Sequence, residues 1–99
     1  MKARFTWNRA KAERNQRVHG ISFETAVEIF ADPNHVVGDN YFIESVGEQR
    51  YQVMGMTRKL VLLLVVFVDR RRTDVDVIHL ISARKAVEYE ESIYNDQFR

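Results

Sequence analysis

The sequence predicts an α+β fold, in which a meandering antiparallel sheet carries two N-terminal helices and one C-terminal helix packed on it. Three observations predict it. Two early segments carry helix caps, the apolar spacing turns from helical to alternating after Pro33, and residues 60–68 form an apolar run of strand length. Together with a short first strand at 4–7, they give the order β-α-α-β-β-β-β-α, which is typical of sheets built largely from sequential neighbours.

The first two helices have recognisable beginnings and ends. Asn8 is a good N-cap for a helix that runs to about Arg17, and Gly20 suits the left-handed residue that ends it. Ser22 caps the second helix, and Pro33 stops it. The apolar face of this second helix consists of Phe23, Ala26, Val27 and Phe30.

The central part of the chain predicts extended structure. Residues 35–38 and 41–43 together predict one strand or irregular edge, and further strands are predicted at 50–56, 60–68 and 74–81. Gly47 marks a turn, residues 57–59 are short enough for a hairpin link, and residues 69–74 form a charged turn.

Residues 77–86, VIHLISARKA, are expected to start as a strand and end as a helix. Ser82 can cap a helix over 83–94, which would place Arg84 and Lys85 in its first turn, at the positive end of the helix dipole. Two cations beside free backbone N–H groups make an anion site. The alternative is that both cations point into water, and the sequence alone leaves both open.

Composition limits the class of protein. Ninety-nine residues allow one domain over 1–99, and the absence of cysteine excludes disulfides, thiolate zinc sites and a cysteine nucleophile. The N-terminal stretch has no apolar segment typical of a secretory signal. The apolar run at 60–68 is shorter than the roughly 20 residues that span a bilayer. We therefore expect a cytoplasmic protein with no membrane partner.

Charge is banded along the chain although the net charge is only +1. Residues 1–19 and 51–73 are basic, whereas residues 20–50 and 74–99 are acidic. One interpretation is a basic surface for a polyanion, and the other is that the bands mix on the folded surface.

No nucleophile elbow, phosphate loop, dinucleotide fingerprint or metal motif occurs, and the three histidines are scattered, so no metal or cofactor is expected. The remaining inventory of cations, acids and aromatic residues suits cleavage of RNA without a metal. That reaction needs a base for the 2′-hydroxyl, an acid for the leaving oxygen and cations for the charge on phosphorus.

Five residues are candidates from their positions alone. His19 either titrates near neutral pH or caps the first helix. Glu48 and Arg50 project to one strand face as a base and phosphate clamp, or as a surface ion pair. His79 is either a reactive group or a satisfied histidine on the sheet, and Lys11 either reaches a phosphate or is solvated.

An ordered set of motifs resembles the BrnT toxin family of bacterial type II toxin–antitoxin modules, from about Phe5 to Tyr94. The residues that carry the resemblance are Trp7-Asn8, Lys11, Asn15, His19-Gly20-Ile21-Ser22-Phe23-Glu24, Ala26, Asp32-Pro33, Glu48, Arg50, Gly55 and Ile81-Ser82-Ala83-Arg84-Lys85-Ala86. HGISFE and ISARKA at this separation are specific together, although either alone is weak.

The resemblance implies a RelE-like ribonuclease fold and translation arrest through RNA cleavage. It also implies a partner antitoxin, BrnA, whose ribbon-helix-helix domain binds DNA. The complex would repress its own promoter, so operator DNA would be contacted only through the antitoxin. That antitoxin could cover the basic site with an acidic segment, or pack a helix on an apolar groove near Phe23, Phe30 or Tyr94.

Residue by residue, the resemblance makes Arg84 the first candidate for phosphate contact, with Lys85 beside it. Glu48, Arg50, Lys11 and His19 become candidates for acid–base or substrate roles. His79 stands where an arginine is common, and Val18 where a lysine is common.

Because His79 and Val18 stand at positions where a cation is common, a second function is also considered. In it, the chain is a weak or inactive toxin homologue that serves as co-repressor with its antitoxin. A third function, a stand-alone nucleic-acid binder, is disfavoured because a net charge of +1 gives little affinity for phosphate backbones.

Overall fold

A mixed β-sheet with helices on both faces forms the protein in a computed structural model, which describes residues 3–38, 41–43, 47–71 and 74–99. The strands are β1 (Ala3–Trp7), β2 (Val36–Val37), β3 (Tyr41–Ile43), β4 (Glu48–Met56), β5 (Leu62–Asp69) and β6 (Asp76–Lys85). The helices are α1 (Arg9–His19), α2 (Phe23–Ala26, continued by a 3₁₀ turn at Val27–Ala31) and α3 (Glu88–Asp96). The predicted α+β class is confirmed.

The strand order is β1-β6-β5-β4-β2, and β3 pairs with β4 in addition. All these pairs are antiparallel except β1 and β6, which run parallel, so the prediction of a purely antiparallel sheet is wrong. A parallel pair needs a long crossover between its strands. Here the whole chain between the two strands supplies it, which local sequence patterns do not reveal.

The first two helices begin at the predicted caps, but α2 is α-helical only as far as Ala26 and continues as a 3₁₀ turn to Ala31. The Asn8 side chain accepts the Lys11 backbone N–H at 3.0 Å, and Gly20 adopts the left-handed conformation at φ 71°. Ser22 Oγ accepts the Thr25 N–H at 3.1 Å, which caps α2. Each cap satisfies backbone groups that have no partner inside the helix.

The predicted helix start at Ser82 is wrong. β6 continues to Lys85, with Ser82 opposite Val66 and Arg84 opposite Leu64, and α3 begins only at Glu88. Pairing with β5 gives these residues ladder hydrogen bonds and buries Ala83, which outweighs their local helix propensity. Consequently Arg84 and Lys85 are strand residues and do not lie in the first turn of a helix.

The main core lies between the sheet and the first two helices. It consists of Ile21, Phe23, Ala26, Ile29, Val53, Leu63, Val65, Leu80 and Ala83. Leu80 and Ala83 both join it although they are three residues apart on one strand. The register shifts between Val66 and Phe67, so β6 carries an extra residue there, Ile81, as in a β-bulge.

Candidate functional site

Strand β4 presents its polar residues on the face opposite the core. Val53 is buried in the core, and side chains alternate along a strand, so Gln52, Arg50 and Glu48 point to the other face. We call this the second face. The predicted proximity of Glu48 and Arg50 holds in the structure, where Arg50 Nε lies 3.5 Å from Glu48 Oε1.

His79 lies on the same second face. Its neighbour Leu80 is in the core, so His79 points the opposite way, and its partner in β5 is Val68. Its partner in β1 is Thr6, and Thr6 Oγ1 lies 2.8 Å from His79 Nδ1. Residues directly opposite in a sheet project to the same side, so Thr6 shares this face as well.

A carboxylate joins two guanidinium groups here. Glu48 Oε2 accepts a hydrogen bond from Arg70 Nη2 at 3.4 Å, while its other oxygen faces Arg50. The Glu48 and Arg50 side chains are about three-quarters buried, whereas the Arg70 side chain is 50% exposed. Buried Nε of Arg50 has no hydrogen-bond partner among the described residues. Glu48, Arg50, Arg70 and His79 are called the second-face cluster below.

The electrostatics of the cluster favour a neutral His79. Burial lowers the pKa of His79 below its usual value, and the charges of Arg70 and Lys11 lower it further. The Glu48 carboxylate acts in the opposite direction without reversing the shift. His79 is therefore a neutral imidazole at pH 7, with an unprotonated nitrogen available to accept a proton.

Lys11 and His19 are brought together beside β6. Both line a cavity of about 250 Å³, together with Arg14, Asn15, Val18, Ile81 and Ser82. Lys11 lies near enough for its charge to act on His79. Lys11 thus lies on the flank of the second-face cluster, whereas His19 lies eight residues farther along α1, about 12 Å away, in the same cavity.

Arg84 is on the second face but away from the cluster. It is opposite Leu64 and His79 is opposite Val68, so about four residues of β5, or roughly 13 Å, separate them along the sheet. Both terminal nitrogens of Arg84 donate to the two oxygens of Glu90 at 2.8 Å. The hydrogen bond to Glu90 raises the pKa of Arg84 above its usual value.

Lys85 lies elsewhere again. It lines a cavity of about 450 Å³ with Arg58, Lys59 and Glu28, between the first two helices and the β4–β5 loop. The structure therefore does not bring Lys85 to His79 or Glu48, and the two adjacent cations Arg84 and Lys85 project in different directions.

Two members of the site were missed by sequence reasoning. Arg70 directly follows β5, which pairs antiparallel with β4, so the hairpin returns Arg70 to the start of β4 beside Glu48. The sequence already predicts that hairpin, which could have identified Arg70 as a member of the site. Thr6 reaches His79 only through the parallel pairing of β1 with β6, for which the sequence carries no local signal.

Two features are absent from the part of the chain that the structure describes. No three His, Asp or Glu side chains gather there as a metal-binding group would require. None of the helices in those residues is both long and apolar enough to cross a membrane.

The fold and the cluster define a small α+β protein that carries an imidazole, a carboxylate and two guanidinium groups on one sheet face. Residues 7–90 match the family model described as "Ribonuclease toxin, BrnT, of type II toxin-antitoxin system". The chain therefore belongs to the BrnT family of ribonuclease toxins.

A solved structure supports the fold. The crystal structure of the Brucella abortus ribonuclease toxin, BrnT, is similar with a TM-score of 0.52 and 17% sequence identity. The match covers 89% of this chain and all of the Brucella chain. A comparison with curated proteins finds no match.

Proposed function

We propose that this chain is a metal-independent endoribonuclease that cleaves RNA and arrests translation, with the second-face cluster as its active site. The observation that supports this most is the Glu48 carboxylate between the Arg50 and Arg70 guanidiniums, next to a neutral His79. Guanidinium groups bind phosphate oxygens in a bidentate geometry, and a neutral imidazole can take the proton of a 2′-hydroxyl.

In the proposed reaction, the 2′-oxygen attacks the adjacent phosphorus while its proton passes to Nε2 of His79. Arg50 and Arg70 stabilise the charge that develops on the phosphoryl oxygens, and Glu48 holds both guanidiniums in place. The bond from phosphorus to the 5′-oxygen then breaks, and that oxygen takes a proton. Lys11 and His19, which line the neighbouring cavity, are the candidates to supply it.

Arg84 remains a proposed phosphate contact, but for RNA beyond the reacting phosphate. Its distance from the cluster supports such a subsite along the second face. Its guanidinium would then exchange Glu90 for phosphate. Lys85 would bind the RNA backbone by charge only, from the cavity that it shares with Arg58 and Lys59.

Membership of a type II toxin–antitoxin family implies an antitoxin partner. We propose that this partner is a BrnA-like protein with a ribbon-helix-helix domain, so that the toxin meets operator DNA only through it. The toxin would act in the cytoplasm, where its RNA substrate is.

The test is inducible expression of the wild-type chain, Glu48→Gln, Arg50→Gln and Arg84→Ala, followed by assays of the purified proteins on RNA with EDTA. Growth arrest and cleavage by the wild type, and loss of at least about tenfold in the two cluster variants, are expected. Arg71→Gln is the matched control, because Arg71 pairs with Asp69 and Asp76 outside the cluster. Equal activity in all variants would refute the assignment of the cluster, and cleavage abolished by EDTA would refute metal independence.

The occupied guanidinium of Arg84 favours a second candidate, a toxin homologue that acts as co-repressor without cleaving RNA. A folded wild-type chain that binds the antitoxin but neither arrests growth nor cleaves RNA would establish it instead.

A further inference from the structure

Thr6 is a residue of the second face that the proposed reaction leaves unused. Its hydroxyl oxygen lies 2.8 Å from Nδ1 of His79, within hydrogen-bond distance, and the two residues are direct partners in the parallel β1–β6 pair. Both side chains are half-buried. The contact joins residues 73 positions apart in the chain.

We propose that Thr6 is a positioning residue, which accepts the Nδ1–H of His79 and so leaves Nε2 free to exchange the proton of the reaction. This inference rests on the proposed ribonuclease function. It adds the residue that determines which ring nitrogen of His79 carries the hydrogen and which accepts the substrate proton.

The direction of the ring follows from the sheet. β1 and β5 flank β6 on opposite sides, and Nδ1 faces Thr6 on the β1 side. The two nitrogens of an imidazole point in nearly opposite directions, so Nε2 is directed away from β1, toward the side of Glu48 and Arg70. A substrate phosphate bound by the guanidiniums would therefore meet Nε2 and not Nδ1.

The proton balance selects one of two hydrogen-bond directions. A hydroxyl can donate or accept, and a neutral histidine has one nitrogen of each kind. If Nδ1–H donates to Thr6, Nε2 takes the substrate proton, the ring becomes imidazolium, and the bond to Thr6 persists. If Thr6 donated instead, Nε2 would carry a hydrogen already and could accept nothing.

The charged groups around His79 explain why a neutral acceptor suits this position. Arg70 after β5, Glu48 on β4 and Lys11 on α1 act on its pKa. Arg4 on β1 and Arg50 on β4 project to the same face of the sheet. A carboxylate at residue 6 would raise the pKa of His79 strongly and would charge it at neutral pH. A hydroxyl fixes the ring while leaving it neutral.

The test compares Thr6→Val, which keeps the shape and removes the hydroxyl, with Thr6→Ser, which keeps the hydroxyl. On an RNA substrate, Thr6→Val is expected to lower kcat about fivefold, the value of one neutral hydrogen bond, with little change in KM. The acidic limb of its pH profile moves to lower pH, because the imidazolium loses the acceptor for its Nδ1–H. Thr6→Ser restores both. Thr25→Val, on α2, is the control for loss of a hydroxyl elsewhere.

A second readout does not depend on catalysis. Nitrogen-15 NMR of His79 is expected to show neutral wild-type imidazole protonated at Nδ1, and a shift toward Nε2 protonation in Thr6→Val. Neutral wild-type imidazole protonated at Nε2 would overturn the inference, as would Thr6→Val with unchanged kcat and pH profile. If the wild-type chain cleaves no RNA, the proposed function fails and the catalytic role of Thr6 with it, whereas the NMR result reports separately on the tautomer.

Discussion

The side chain of Asn15 makes the two hydrogen bonds to the Ala83 backbone that a neighbouring strand would otherwise make. Its amide nitrogen donates to the Ala83 carbonyl at 2.9 Å, and its amide oxygen accepts the Ala83 N–H at 3.0 Å. The same nitrogen donates to the Ile21 carbonyl at 2.9 Å. β1 pairs with β6 only as far as Leu80, so α1 supplies the partners that the strand lacks beyond that residue. Asn15 thereby holds α1, and with it Lys11 and His19, against β6.

Asn15→Ala is expected to lower the free energy of unfolding by at least about 3 kcal/mol, because it leaves buried N–H and C=O groups unpaired at about 1–3 kcal/mol each. Urea unfolding followed by circular dichroism measures this. The neighbouring Gln16→Ala, on the exposed side of α1, should change stability by less than about 0.5 kcal/mol. Equal effects of the two substitutions would contradict the role of Asn15.

Gly55 allows a close approach between the sheet and the helical layer. A Cβ atom at residue 55 would lie 2.8 Å from both Cβ and the carbonyl oxygen of Ile29, which is fully buried. Gly55→Ala should therefore destabilise the fold by about 1–3 kcal/mol, the usual cost of overpacking. Gly38→Ala is the matched control, since the atoms nearest to its Cβ, all of Gln52, would lie at 3.4 Å or more. A melting temperature for Gly55→Ala equal to that of the control would disprove the clash.

Local signals predicted the N-terminal half of the fold well. The caps at Asn8 and Ser22 and the left-handed Gly20 depend on hydrogen bonds and dihedral angles within a few residues, so the sequence reports them directly. The spacing of two residues likewise predicted correctly that Glu48 and Arg50 project to the same face.

The failures have a common cause in long-range pairing. Residues 82–85 have helix-compatible side chains, yet pairing with β5 and the Asn15 side chain keep them in the sheet. For the same reason, Arg84 lies in a strand and pairs with Glu90, and does not lie in the first turn of a helix as predicted. The Thr6–His79 contact depends on a pairing across 73 residues, which no local pattern encodes.

The Arg84–Glu90 ion pair connects the start of α3 to β6. Glu90 accepts two hydrogen bonds from Arg84 and one from the Val87 N–H, and the bond from Arg84 is the main cause that lowers the pKa of Glu90. A lowered carboxylate pKa adds stability above the pKa of the unfolded chain, and that stability is lost as pH falls through the folded-state value.

Glu90→Gln should accordingly destabilise the protein at pH 7 by about 1 kcal/mol, a value reduced because the Arg84 side chain is 38% exposed. The difference from wild type should shrink as pH falls below about 4.5, the usual pKa of a glutamate, and through the lowered pKa of Glu90 in the folded state. Urea unfolding at several pH values measures this difference in the free energy of unfolding. A double-mutant cycle with Arg84→Gln isolates the interaction energy of the Arg84–Glu90 pair. Glu91→Gln, on an exposed residue of the same helix, serves as control. A difference that stays constant with pH would argue against the ion pair as its source.

Near the C-terminal end of α3, Tyr94 is hydrogen-bonded to Asp32. Its hydroxyl donates to Asp32 Oδ2 at 2.6 Å, and the same carboxylate oxygen accepts the Met56 N–H at 2.8 Å. Burial and the bond to Asp32 raise the pKa of Tyr94 to about 12. The folded state therefore holds this proton more tightly than the unfolded state, and its stability is present below pH 10 and lost as pH rises through 12.

Ultraviolet titration should accordingly show a late tyrosine ionisation near pH 12, and Tyr94→Phe should remove that late step. The variant should also lose about 1–2 kcal/mol of stability at pH 7 through the missing hydrogen bond to a carboxylate. Tyr89→Phe, whose ring is 74% exposed, should leave the late step in place. If the late step survives in Tyr94→Phe, another tyrosine carries it.

The charges on either side of His79 should act on it with opposite signs. Arg70 lowers the pKa of His79, so Arg70→Gln should raise it, whereas Glu48 raises that pKa, so Glu48→Gln should lower it. Proton NMR titration of the His79 ring measures both shifts without any substrate, and Arg71→Gln should leave the titration unchanged because Arg71 pairs with Asp69 and Asp76. Added salt should weaken the effect of the half-exposed Arg70 more than that of the largely buried Glu48. Shifts of the same sign in both variants would mean that a rearrangement of the cluster, and not the two charges, controls the base.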